Sequence, residues 1–379
     1  MRHVAIKMLL GDRAKYLGLV GGVTFATLLM AQQVSIFISL LARTAGSIYD
    51  VTEADLWVMD PRVRYIEEVE PLRDIELTNV RSVPGVEWAV PFYKGVSTIR
   101  LNDSQSQQVQ LIGVDDQSLV GVCGEDYLGS RDIIRQPQTA IIDRSGYEFT
   151  WPNEPMTLPK EIELNDNRLQ IRAVCRANPT FLTFPILYVT YDTAMQITPP
   201  IRNKMSFVLV RARNRNAVPE LQASIMQQTG LQVLTQDEFA WRSIRYILER
   251  TGIPINFSIT VILGIIIGAA ITAQTFYIFV IENLKQFAAM KAIGVTNRQL
   301  VVLVATQATL VAIIGFGIGI GLTALFFNAT ADVPALRGFL LRWQVVVGVG
   351  VVIFTIVFAS VLASIRTVFT LDPAVVFKG

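Results

Sequence analysis

The sequence predicts a helical membrane protein with four transmembrane helices and a large extracytoplasmic α+β domain inserted between the first and second. Three observations predict this. Hydrophobic residues make up 51% of the 379 residues and charged residues only 17%, too apolar a balance for a soluble chain of this length. Four runs, 16–42, 253–281, 300–328 and 343–365, each offer the roughly 20 apolar residues that cross about 30 Å of hydrocarbon. Between the first two runs lies a long stretch with the alternation and turn residues of an α+β fold.

The chain opens with basic and apolar residues interleaved over 1–15, which suits either a cytoplasmic interfacial helix or a positively charged flank. The run that follows is too long for a secretory signal and reads as an uncleaved anchor. Its outer half carries Gln32, Gln33, Ser35 and Ser39, so one face is expected to meet protein. Outside 43–250 there are eleven Lys and Arg residues, and nine of them fall on the side shared by the N-terminus, the 282–299 segment and the 366–379 tail. The positive-inside rule makes that side cytoplasmic and places 43–250 outside. The outer region holds 22 of the 33 basic and 27 of the 31 acidic residues, a net charge near −5, which argues against a nucleic-acid partner. Cys123 and Cys175 both lie there, where either a disulfide or two buried thiols is compatible with the sequence.

Within 43–250, strands are expected at 54–59, 86–101 and 107–114, the last two as a hairpin around Asn102 and Asp103, with a helix at 74–82. Further on, 206–212, 218–229 and 231–235 read as strand, helix and strand. The intervening 119–203 has short strands at 140–143, 161–164, 169–176 and 186–190, and reads as a mostly β subdomain inserted into one α+β layer. A stalk helix over 235–250 begins at a Thr235/Glu238 capping box, and Trp241, Ile244 and Leu248 recur at helical spacing as a face expected to pack against the outward extension of the first span or the partner subunit. In the spans, Gly264 with Gly268, Gly317 with Gly321, and the interleaved Gly315 and Gly319 are small-xxx-small pairs that read as helix-packing sites against membrane neighbours.

The segment 282–299 lies between two spans and reads as a helix, a stop and a new cap. Leu284, Phe287 and Ala288 share one face with Lys291 at its margin, Gly294 ends the helix, and Thr296 with Gln299 begins the next. Such an elbow transmits a push. No residue pattern points to chemistry: the one histidine is His3, and there is no zincin helix, paired CxxC, G-x-S-x-G or P-loop, so any ATP and magnesium belong to another chain. Arg211, Arg213 and Arg215 alternate at a strand end and suit a solvated edge that discourages strand pairing or a grip on an acidic partner or lipid headgroup.

One span, a large outer domain, three more spans, KQFAAMKAIGVTNRQL after the second and LDPAVVFKG at the end resemble the FtsX/MacB-like permeases of ABC transporters, and residues 5–46 resemble the DevC-type exporter permeases. The resemblance implies a non-catalytic permease subunit in the bacterial inner membrane that docks a separate ABC ATPase on its coupling helix. The residues it implicates are Glu282, Leu284, Phe287, Ala288, Met290, Lys291 and Gly294; Gln286 stands where many members have an acidic residue. It also implies pairing as a homodimer or pseudo-symmetric heterodimer, a periplasmic adaptor with an outer-membrane channel, and export of an amphiphilic or periplasmic substrate. A relative-like alternative is a transmembrane lever that controls an external enzyme such as a cell-wall hydrolase.

Overall fold

A computed structural model describes residues 13–101, 105–124, 128–152, 154–199, 204–331, 333, 336 and 338–369. The readings for 1–12, for Asn102 and Asp103 and for the C-terminal LDPAVVFKG lie outside the described residues. The chain divides into two compact units, one of long helices and one containing residues 40–251 together with the segment ending at Gly338.

In the helical unit, α1 (Arg13–Thr44), α8 (Ile253–Glu282), α10 (Asn297–Ala329) and α11 (Trp343–Phe369) are the long elements, joined between α8 and α10 by the short α9 (Leu284–Ala292). At 1.5 Å per residue the long helices exceed a bilayer's hydrocarbon thickness, and all four are apolar enough to cross it. Glycines let α1 lie close to two neighbours. A Cβ on Gly268 would come within 2.5 Å of Ala26 Cβ, and one on Gly264 would touch Met30 at 3.5 Å. A Cβ on Gly315 would meet Val23 at 2.8 Å, and one on Gly319 would meet Thr27 at 2.6 Å and the Thr24 carbonyl at 2.9 Å. Thr24 Oγ1 donates to the Gly315 carbonyl at 3.2 Å across this contact. Gly317 and Gly321 do not take part: each faces open space, because two positions along a helix rotate a residue away from the seam. The expected pairing of Gly317 with Gly321 therefore passes, within this chain, to Gly315 with Gly319.

In the sheet-rich unit, α1 runs into the one-turn α2 (Gly46–Tyr49) and then β1 (Leu56–Met59), α3 (Asp74–Ser82), β2 (Val86–Arg100) and β3 (Ser106–Val114). β4 (Thr139–Asp143), α4 (Arg144–Thr150), β5 (Lys160–Leu164), β6 (Asn167–Cys175), β7 (Ile186–Thr190) and α5 (Tyr191–Ile197) follow. The unit ends with β8 (Phe207–Ala212), α6 (Val218–Thr229), β9 (Gln232–Thr235) and α7 (Gln236–Arg250). Sheet order is β3-β7-β4-β6-β5-β2-β8-β1-β9, and β2 pairs with β3 as well. That extra pairing closes β2, β3, β7, β4, β6 and β5 into a six-stranded barrel, while β2, β8, β1 and β9 form an open layer. The 15-residue β2 belongs to both: Val86–Phe92 pairs with β8, and Phe92–Arg100 with β3. The 119–203 segment is thus no separate insertion; its strands are completed by two strands of the host.

Burial explains the composition of the barrel strands. Leu111, Ile142, Leu187 and Val189 point into the barrel, and their neighbours Ile112, Ile141, Ile186 and Tyr188 point into a second core shared with the open layer. Strands buried on both faces read as continuous apolar runs, as TAIID and ILYVT do. On the open layer, α3 and α6 cover one face through Val80, Leu221 and Ile225. The other face is built around Trp57, whose ring centroid lies 5.4 Å from that of Phe207 and 5.5 Å from those of Phe92 and Phe239. Cys123 and Cys175 form a disulfide in this second core, Cα–Cα 6.1 Å, settling the alternative left open by the sequence. Nearby, Lys94 is buried against Glu67, and burial lowers its amine below the usual lysine range.

The candidate coupling elbow and its relatives

The elbow is built almost entirely from local signals. Asn283 closes α8, its N–H donating to the Phe279 carbonyl at 3.2 Å and its Nδ2 to the same carbonyl at 2.8 Å. α9 then runs for nine residues and stops at Gly294, whose φ of +95° is the left-handed conformation that glycine adopts without a Cβ penalty. Val295 N–H reaches back to the Met290 carbonyl at 3.0 Å, satisfying an otherwise orphaned group at the helix end. Thr296 caps α10 in a full capping box: Gln299 N–H donates to Thr296 Oγ1 at 3.4 Å and Thr296 N–H to Gln299 Oε1 at 2.9 Å.

The expected faces of α9 are reversed. Phe287 and Ala288 are fully buried among residues that include Phe279, Val280, Leu300 and Leu303. They staple the elbow to its own helices and are not presented to a partner. A phenylalanine at a helical junction buries more apolar area against the adjoining spans than it keeps by facing water, roughly 1.5 to 3 kcal/mol in favour of burial. Leu284, Met290 and Lys291 are half-buried, and Glu282 and Gly294 exposed. The exposed surface instead runs through Lys285, Ala289, Ala292 and Ile293, with Ile293 82% exposed. An apolar side chain so open at the tip of a tight turn is the feature that sequence reading missed. Its adjacency to Gly294 was the available signal, since a residue beside a left-handed stop leaves the helix face set by 284, 287 and 288.

The stalk buries a different stripe from the one its apolar spacing singled out. Its capping box is present, Thr235 N–H donating to Glu238 Oε2 at 2.8 Å. Phe239, Ala240, Ser243 and Ile247 form the buried face, and Ile244 packs at its edge. Trp241 is 64% exposed and Leu248 39%, so neither belongs to the face that the stalk buries in its own domain. The stripe 239, 240, 243, 247 follows the 3.6 period as well as 241, 244, 248 does; the sheet selects between them by offering Trp57 and Phe207 to Phe239. Of the alternating arginines, Arg211 lies 3.6 Å from Glu87 and Arg215 3.6 Å from Asp55, surface pairs of small energetic weight. Among the described residues no three His, Cys, Asp or Glu side chains converge on a metal-binding geometry.

Residues 258–373 match the family described as FtsX-like permease C-terminal, a span that takes in most of α8, the elbow, α10 and α11. An uncharacterized ABC transporter permease of Mycobacterium bovis is 23% identical over 313 residues, covering 82% of this chain and 80% of that protein, and the same figures hold for one of Mycobacterium tuberculosis strain H37Rv. The extracellular domain of the noncanonic ABC-type transporter YknZ from Gram-positive bacteria aligns with 48% of this chain and 99% of its own at 14% identity and TM-score 0.36. The periplasmic region of MacB from Actinobacillus actinomycetemcomitans aligns with 53% of this chain and 94% of its own at 16% identity and TM-score 0.36. Its membrane helices thus match the FtsX-like permease C-terminal family over 258–373, and most of its length is similar to ABC transporter permeases.

Proposed function

We propose that this permease is the non-catalytic membrane subunit of an exporter whose ATP and magnesium are held by a separate ABC ATPase. The observation that carries the reading is the elbow: a short helix fixed at both ends between two membrane-length helices, with Lys285, Ala289, Ala292 and Ile293 turned outward. Nucleotide-driven closure of the ATPase presses on this face. Because Phe287 ties α9 to α8 and α10, the push moves whole helices and does not merely bend a loop. The long helices carry no Asp, Glu, Lys or Arg at 16–42, 254–281, 299–329 or 343–365, so the stroke is passed as leverage and not through a charged path.

In this reading the chain sits in the bacterial inner membrane with both termini and the elbow in the cytoplasm, and the sheet-rich unit stands in the periplasm. The excess of basic residues around the elbow and the disulfide in the sheet-rich unit support that orientation. Two copies, or one copy with a related permease, pair in the bilayer. A periplasmic adaptor and an outer-membrane channel complete a path for an amphiphilic or periplasmic substrate.

The test is co-purification of the ATPase with the tagged chain from native membranes. Burying Ile293 contributes roughly 1.5 to 3 kcal/mol, and a carboxylate in its place adds a desolvation cost. Ile293→Asp should therefore lower recruitment at least about tenfold while leaving expression and the disulfide intact. Wild-type recruitment by a folded Ile293→Asp protein would remove the coupling role from this face.

A further inference from the structure

The connection between β6 and β7 reads Asn-Pro-Thr-Phe-Leu-Thr-Phe-Pro over 178–185, without a single charge. It is held down at its first two residues. Asn178 donates to the Asp50 carboxylate from its backbone N–H at 3.1 Å and from Nδ2 at 2.7 Å. The Pro179 carbonyl lies 2.8 Å from where a Cβ on Gly46 would stand, and its ring 3.0 Å from where one on Gly338 would stand. Beyond this anchor the loop turns through Thr183, at φ +55°, and shows its apolar side chains outward. Leu182 is 39% exposed, Phe181 and Phe184 are half-buried, and Phe149 at the end of α4 is 45% exposed. Phe149, Pro179, Thr183 and Phe184 line one cleft, so these residues form a single patch.

Chain connectivity says what lies close to that anchor. Gly46 is two residues beyond Thr44, where α1 ends, and Gly338 is two residues before Leu340. Leu340 N–H donates to Ser39 Oγ on α1 at 3.3 Å, and three residues on, Trp343 opens α11 at 70% exposure. A tryptophan at the head of an apolar helix sits at headgroup level. Two residues of chain reach at most about 7 Å. The loop is thus tied to two segments that each lie within a few residues of a membrane-length helix.

We propose that Phe181, Leu182 and Phe184, with Phe149, form a lipid-contacting foot that rests in the headgroup–acyl boundary of the outer leaflet. An uncharged loop rich in Phe and Leu has the chemistry of an interfacial anchor. The loop itself carries no charge to specify a protein partner, and the bilayer is the apolar surface its anchors bring within reach. The foot restrains the barrel end of the sheet-rich unit, so that strokes passed along the helices meet a fixed point on the membrane.

The experiment places a nitroxide on Leu182→Cys in the full-length chain, kept non-reduced and reconstituted into lipid nanodiscs. Its collision rates with oxygen and with a water-soluble nickel chelate are compared with those of Gln227→Cys, which is exposed on α6. Phe149→Cys is labelled separately, so that misfolding of one variant does not stop the test. The expected result at 182 and 149 is oxygen accessibility several-fold higher relative to nickel than at 227. Nickel accessibility equal to that at 227 would show an aqueous surface and overturn the proposal. Shielding from both reagents would show a protein-covered surface, such as a second copy, and would overturn it equally.

Discussion

Gly319 and Gly321 share a helix and a residue type, yet their surroundings differ completely. A methyl at 319 would collide with Thr27 and with the Thr24 backbone carbonyl, which cannot swing aside, whereas a methyl at 321 meets nothing within 4 Å. Gly319→Val should therefore push α1 away from α10 and cost about 1 to 3 kcal/mol, the usual penalty of overpacking. Gly321→Ala should be neutral or gain up to ~1 kcal/mol from helix propensity. Thermal unfolding of the detergent-solubilised protein measures both, and equal effects at the two positions would show that α1 does not lie against Gly319. The same scale explains why Phe287 was legible as important but not in which direction. Its spacing with Leu284 and Ala288 marks a buried stripe, and only the neighbouring Leu300 and Leu303 show that the chain itself does the burying.

At the scale of elements, α7 is a helix with two usable stripes. The sheet buries the one through Phe239, Ala240, Ser243 and Ile247 and leaves Trp241 outside. Phe239→Ala should cost about 3 to 5 kcal/mol, as truncating a buried aromatic does when its site cannot collapse. Trp241→Ala should stay within about 0.5 kcal/mol, the usual range of a surface substitution away from such features. Thermal denaturation separates them, and a large loss at Trp241 would mean that a second chain covers it. The strands and the helices α3, α6 and α7 were legible because alternation and capping boxes are local, as with the helix Val218–Thr229 and the strand Ile186–Thr190, whereas the short helices α4 and α5 lie in a stretch read as mostly β. The barrel was not legible. Its closure depends on the Ile99–Leu164 and Arg100–Glu163 pairings between distant segments, and nothing in either segment alone names the other.

For the molecule as a whole, the orientation is the property on which the proposed coupling depends. The native cysteines are both in the disulfide, so single cysteines can be added without removing them. In intact cells, an impermeant thiol reagent applied from outside should modify Gln108→Cys, exposed on β3, and spare Asn297→Cys at the start of α10. The reverse pattern would invert the membrane topology and take the elbow out of reach of ATP.

The sequence by itself determined the four membrane-length helices, the α+β class of the outer domain with its strands and longer helices, and both capping boxes. Each of these rests on hydropathy or on groups within a few residues of one another. The tertiary structure alone decided which stripe of α7 is buried, that the chain itself buries the stripe of α9, which glycine pair accepts α1, that β2 serves both barrel and layer, and that Cys123 reaches Cys175. A periodic pattern defines faces but not their neighbours. The neighbour is supplied by residues tens or hundreds of positions away, as Thr27 is to Gly319 and Trp57 to Phe239.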